Sequence, residues 1–145
     1  DISSRIFDGL NDENRKRVIV YQGTQEKERA LERYFSEPGL ILMGPSILEG
    51  LDLASDKSRL QIFLKVPFPS LGDKFVSAKM NFQPDWYDWK TITSILQGVG
   101  RSVRSEEDWA VTYFLDGCLV DLLKRRRSSF PAEVQRRIRV VNEDI

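Results

Sequence analysis

Apolar positions in the first third of the chain alternate between helical spacing and short unbroken runs. Ile2, Ile6, Phe7 and Leu10 recur at helical intervals and predict a short helix, followed by a charged, solvated turn from Asn11 to Arg17. Arg17-Val18-Ile19-Val20-Tyr21 predicts a short strand that stops at Gln22-Gly23. Thr24 is placed to cap a helix over 25–36, with Ala30, Leu31, Tyr34 and Phe35 on its buried side, and Pro38-Gly39 ends it. Leu40-Ile41-Leu42-Met43 has no alternation, the pattern of a strand buried on both faces.

The remainder repeats this grammar. Leu60 to Val66 predicts a second buried strand, closed by Pro67-Phe68-Pro69, and residues 70–84 read as an irregular surface segment. Asp85 is placed to cap a helix from Trp86 to about Leu96, with Trp86, Tyr87 and Trp89 supplying buried aromatic area. A polar turn, Ser105 to Asp108, leads to a strand over 109–115 that ends at Asp116-Gly117. Helices over about 118–127 and 131–140 complete the chain, the second with Pro131 at its start. Strands that alternate with helices imply parallel pairing through helical crossovers. The expected fold class is therefore α/β, a three-layer α/β/α domain over residues 1–145 with a mostly parallel central sheet. A helix opens the pattern where such a domain has a strand, so the domain's first strand is expected to be missing.

Composition narrows the chemistry. The 145 residues suit one domain with a real core. Lys plus Arg and Asp plus Glu are 22 each, so net charge does not favour nucleic acid globally. With no histidine there is no Ser-His-Asp triad and no His-based zinc site. A single cysteine, Cys118, allows neither an internal disulfide nor a multi-cysteine metal cluster, and points to a reducing compartment. No apolar run reaches the roughly 18 residues of a membrane span, and residues 1–17 do not read as a signal peptide.

The stretch that stands out is Gln97-Gly98-Val99-Gly100-Arg101-Ser102-Val103-Arg104. Spacing of three would put Arg101 and Arg104 on one helix face. Two guanidiniums there suit a phosphate chain, because each is a permanently charged planar fork of donors. Taken alone, the pair also fits a surface helix with two solvated arginines. The loop Gly44-Pro45-Ser46-Ile47-Leu48-Glu49-Gly50-Leu51-Asp52 follows a strand end, where open parallel sheets place ligand groups.

Taken together, these stretches resemble the C-terminal motor domain of superfamily 2 DNA helicases of the XPD/DinG family. Glu49-Gly50-Leu51-Asp52 is similar to that family's E-G-x-D motif V, and Lys65-Val66-Pro67-Phe68-Pro69 to its strand-ending P-F-P. Gln97 to Arg104 matches its motif VI, Q-x-x-G-R-x-x-R; Asp116 matches a recurrent aspartate, and Phe130-Pro131 an aromatic-proline pair. The ordered set spans about residues 18–131. Leu48, Ala110 and Cys118 depart from the family's usual Trp, Gly and Arg, which bears on the subfamily.

The resemblance implies a RecA-like second lobe of an ATP-dependent, 5′-to-3′ helicase, acting on single-stranded DNA. Arg101 and Arg104 would be arginine fingers to ATP held by a first lobe of the same protein, along with most of the Mg²⁺ coordination. Gln97, Glu49, Gly50 and Asp52 would line the nucleotide side or couple motif V to motif VI. Backbone amides of Gly44, Pro45 and Ser46 would meet a DNA phosphate. This chain has no Walker A or D-E-x-H motif and no iron–sulfur cysteines, so it is expected to be inactive by itself. A cytoplasmic or, in a eukaryote, nuclear location follows from the same resemblance; nothing indicates a membrane or a homo-oligomer. The alternative is a helicase-derived nucleic-acid or protein-binding module with no motor activity. The basic run Lys124 to Arg127 with Arg136, Arg137 and Arg139 reads as a solvated helix end, or else as a phosphate-tracking surface. Helical spacing of the tryptophans favours core packing over base stacking.

Overall fold

A computed structural model of the chain describes residues 2–45, 47, 53, 55–103 and 107–141. They fall into two compact units, residues 1–51 and 52–145. Both contain parallel strand pairs joined through helices, as the α/β reading requires.

In the first unit, α1 (Ile2–Gly9) is followed by α2 (Asp12–Arg17), a helix where a solvated turn was expected. No apolar stripe announces α2. Its support is local: Asn11 accepts a bond from the Asn14 amide, Asp12 and Glu13 sit in the first turn, and Arg15 to Arg17 in the last. Each complements the helix dipole. Strand β1 (Val18–Val20) pairs in parallel with β2 (Ile41–Met43), and α3 (Thr24–Ser36) makes the crossover. Gly23 rather than Thr24 is the N-cap of α3, and the Glu26 carboxylate reaches back to accept from the Gln22 amide. Ile19, Tyr21 and Ala30 form the core, with Tyr34, Leu40, Leu42 and Ile47 packed around them, while Phe35 is exposed. Gly39, with φ of 80°, supplies the left-handed turn after α3 that a side chain would resist.

In the second unit, β3 (Leu60–Phe63) pairs in parallel with β4 (Val111–Phe114), Gln61 opposite Thr112 and Phe63 opposite Phe114. Between them lie α4 (Lys74–Phe82) and α5 (Pro84–Val99), with α6 (Cys118–Arg126) and α7 (Ala132–Arg137) after β4. Helix α4 occupies the segment expected to be irregular; Asp73 caps it by accepting from the Phe75 and Val76 amides. Helix α5 starts earlier than expected, with Pro84 in its first turn and Gln83 as N-cap. Val66, Ile92, Ile95, Leu122, Leu123 and Phe130 form the core, and the Phe63 and Phe114 rings stack at 4.5 Å.

Two expectations about burial are corrected. Strands β3 and β4 alternate rather than being buried on both faces: Leu60 and Ile62 are 57% and 53% exposed, and Val111 and Tyr113 are exposed beside them; on β2, Ile41 is exposed. The aromatics of α5 do not all enter the core. Trp89 is 59% exposed and Trp86 half-buried under the Lys79 ammonium, which lies 4.5 Å from its ring centre. Tyr87 packs on Phe68 and donates to the Pro69 carbonyl at 2.9 Å. Trp109 is exposed too, with the Arg59 guanidinium over its ring. Helical spacing identifies a shared face but not how wide the covered stripe is.

Candidate functional site

Gln97 and Arg101 are brought together at the C-terminal end of α5, in the second unit. Gln97 is exposed on the last turn. The helix stops at Val99 because two glycines in three residues weaken it. The Gly100 amide donates to the Leu96 carbonyl at 2.9 Å, and the Arg101 amide closes a tighter turn onto the Gly98 carbonyl at 3.2 Å. Arg101 is therefore half-buried in a turn just past the helix, not on a helical face as its spacing suggested. Ser102 next to it is fully buried, and its hydroxyl has no hydrogen-bond partner among the described residues. Such a group costs about 1–3 kcal/mol, and nothing in the described residues explains it. Arg104 lies outside the described residues.

The Gly98 carbonyl has a second donor. Gln61 Nε2 on β3 donates to it at 3.1 Å, and Gln61 Oε1 accepts from the Thr112 hydroxyl on β4 at 2.8 Å. A carbonyl can only accept, so the amide nitrogen must face Gly98 and the oxygen Thr112. In the sequence Gln61 is one member of an otherwise apolar stretch, Leu60 to Leu64. The available signal was a lone amide on the strand position two before Phe63, the face that packs inward.

Gly44 and Pro45 belong to the first unit, just after β2; Ser46, Glu49, Gly50 and Asp52 lie outside the described residues. A Cβ on Gly44 would come within 2.5 Å of the Tyr21 ring, whose hydroxyl donates to the Pro45 carbonyl at 2.8 Å. The close approach that demands glycine here is thus made by Tyr21. Gly44→Ala is expected to cost about 1–3 kcal/mol through overpacking, read as a lower urea midpoint. An unchanged midpoint would show that Tyr21 can move aside.

Asp116 joins two of the motifs. Its carboxylate accepts from the Val66 amide at 2.9 Å and the Cys118 amide at 3.0 Å, tying the end of the Lys65-Val66-Pro67 stretch to the start of α6. These backbone donors, Val66 first, hold its pKa below the ordinary carboxylate range. The same carboxylate pushes the Cys118 thiol up.

In the basic run after β4, Lys124, Arg125 and Arg127 stay exposed, as a solvated helix end would be, and each also has a partner within the chain. Arg125 grips buried Asp88 of α5 through two bonds, at 3.0 and 3.1 Å, and Arg126 adds a third at 3.0 Å while also pairing with Asp85. Lys124 lies 3.6 Å from Asp121, and Arg127 donates to the Gln135 carbonyl. The run fastens α6 to α5 and to its own surroundings. Among the described residues no group of three His, Cys, Asp or Glu is arranged to hold a metal ion.

Parallel strand pairs with helical crossovers, and an arginine-bearing turn at the end of the longest helix, define an α/β domain of the RecA-like kind. The sequence profile of the helicase C-terminal domain family matches residues 2–137. The chain belongs to that family, as the ordered motifs had suggested. It is 30% identical over 111 residues to the ATP-dependent DNA helicase YoaA of Escherichia coli (strain K12), covering 70% of this chain and 18% of that protein. It is 27% identical over 143 residues to the ATP-dependent DNA helicase CHL1 of Yarrowia lipolytica, covering 77% and 18%. A regulator of telomere elongation helicase 1 homolog from Caenorhabditis elegans is 23% identical over 128 residues, covering 72% and 13%. The chain thus spans less than a fifth of the length of these relatives. No helix among the described residues is long and apolar enough to cross a membrane.

Proposed function

We propose that residues 1–145 are the second motor lobe of an ATP-dependent DNA helicase. In this reading Arg101 and Arg104 reach the γ-phosphate of ATP bound by a first lobe elsewhere in the same protein, and hydrolysis drives 5′-to-3′ movement on single-stranded DNA. The observation that carries it is Arg101, half-buried in a hydrogen-bonded turn just beyond the C-cap of α5 in a member of the helicase C-terminal domain family. Arg101 is only partly buried, with its Nε enclosed and its backbone held in the turn, which suits a group that acts on a ligand arriving from outside.

Charge on a transferring phosphoryl group is spread over its equatorial oxygens, and a planar fork of donors matches that distribution. Gln97, exposed on the last turn of α5, stands beside the same end and would meet the nucleotide or orient the turn. Glu49, Gly50 and Asp52 would couple motif V to it, and the Gly44-Pro45-Ser46 backbone would meet a DNA phosphate. Mg²⁺ would be held mainly by the first lobe. A cytoplasmic or nuclear location accords with this reading, as does a role in DNA repair.

The test is direct. This chain, purified alone, should show no metal-dependent ATP turnover, because its sequence has no Walker A lysine and no D-E-x-H carboxylates. Robust turnover by the isolated chain would end the two-lobe reading.

A further inference from the structure

The inner face of the β3–β4 pair is apolar at one end and polar at the other. Phe63 and Phe114 stack at one cross-strand position, while the Gln61–Thr112 pair occupies the other, beside the C-terminus of α5. A polar pair on a core-facing surface needs a use, and the geometry supplies one. Last-turn carbonyls of a helix have no partner within the helix. The Gly98 carbonyl is one of these, and it receives both the Arg101 amide and Gln61 Nε2. The same oxygen therefore joins the sheet to the turn that presents Arg101.

We propose that Gln61, oriented by Thr112, is a positioning residue for Arg101. The relay runs Thr112 hydroxyl to Gln61 Oε1, then Gln61 Nε2 to the Gly98 carbonyl, then that carbonyl to the Arg101 amide. It fixes where the arginine's backbone leaves the helix, and so where the guanidinium is delivered. Neither Gln61 nor Thr112 touches nucleotide in this scheme. The proposal rests on the arginine-finger reading.

The experiment is single-stranded-DNA-stimulated steady-state ATPase of the full-length protein, with ATP varied. Gln61→Leu keeps the side chain's bulk but removes both bonds. Its kcat should fall by about 10- to 100-fold, the scale of a misplaced catalytic group, with KM for ATP within about twofold. In an Arg101→Ala background, Gln61→Leu should add less than about a twofold loss, since residues acting as a unit are not additive. Thr112→Val should lower kcat several-fold and Thr112→Ser, which keeps the hydroxyl, should not; this pair carries the test if Gln61→Leu fails to fold. Wild-type kcat in Gln61→Leu, full multiplication of the two losses, or equal behaviour of Thr112→Val and Thr112→Ser would each overturn the positioning role. If instead Arg101→Ala itself leaves turnover near wild type, the finger reading fails and the proposal falls with it.

Discussion

In the full-length protein, Arg101→Ala should lower DNA-stimulated kcat by roughly 10³–10⁵, the range of an arginine finger. That is about 4–7 kcal/mol of barrier, several times what a surface ion pair supplies. ATP affinity should change far less, because an interaction made mainly in the transition state lowers kcat without raising KM. Arg101→Lys should rescue poorly: lysine keeps the charge but loses the fork. Arg101 is half-buried, so a small loss of stability, about 0.5–1 kcal/mol, should accompany the change. A thermal melt separates that loss from the kinetic one. Turnover near wild type would remove Arg101 from the chemistry, and outright unfolding would make it a structural residue.

The second large effect concerns Asp88, whose buried carboxylate receives three bonds from Arg125 and Arg126. Asp88→Asn should destabilise the protein by about 2–3 kcal/mol. Breaking a buried ion pair costs about 3–5 kcal/mol, reduced here because both arginines reach solvent. The pH dependence follows from the same contacts. Arg125, bonded to Asp88, holds the carboxyl below its ordinary range; burial opposes this, and Arg126 reinforces it. A lowered folded pKa stabilises the protein fully above the unfolded value, about 3.9, and the contribution is lost as pH falls through the folded value. In urea unfolding, wild type and variant should therefore differ most near neutral pH and converge on acidification below pH 4. A gap that persists in acid would mean that shape, not charge, is what Asp88 provides.

The alternation of strand and helix, the parallel pairing and the ordered motifs were legible in the sequence, because each is carried by local pattern. What escaped was set by other forces. Helices α2 and α4 are held by caps at Asn11 and Asp73 and by dipole-matched charges, which apolar periodicity does not report. The unbroken run Leu40 to Met43 was read as doubly buried, yet Ile41 is exposed, since a run of identical polarity carries no record of which side is covered; Leu60 and Ile62 are exposed too. The pairing of the arginines after β4 was not legible because their partner, Asp88, lies 37 residues from Arg125 in sequence, inside a helix whose pattern is dominated by aromatics. At the site, the motif located Arg101 but not the end of α5 just before it, a boundary decided by Gly98 and Gly100. For Gln61 a lone amide on the inward face was the only signal, because its bond to the Gly98 carbonyl exists only once β3 meets the end of α5.

The pairing of Gln61 with Thr112 joins residues 51 apart. At a synthesis rate of about 5–20 residues per second, β3 leaves the ribosome roughly 3–10 s before β4 can meet it. Through that interval Leu60, Ile62 and Phe63 have no strand beside them, while α4 and α5, built from local contacts, have had ample time to form. The bond that ties the sheet to the Arg101 turn would then be among the last made on the nascent chain. A pause in translation between Leu64 and Ala110 would prolong the time in which an open apolar strand edge can pair with the wrong neighbour.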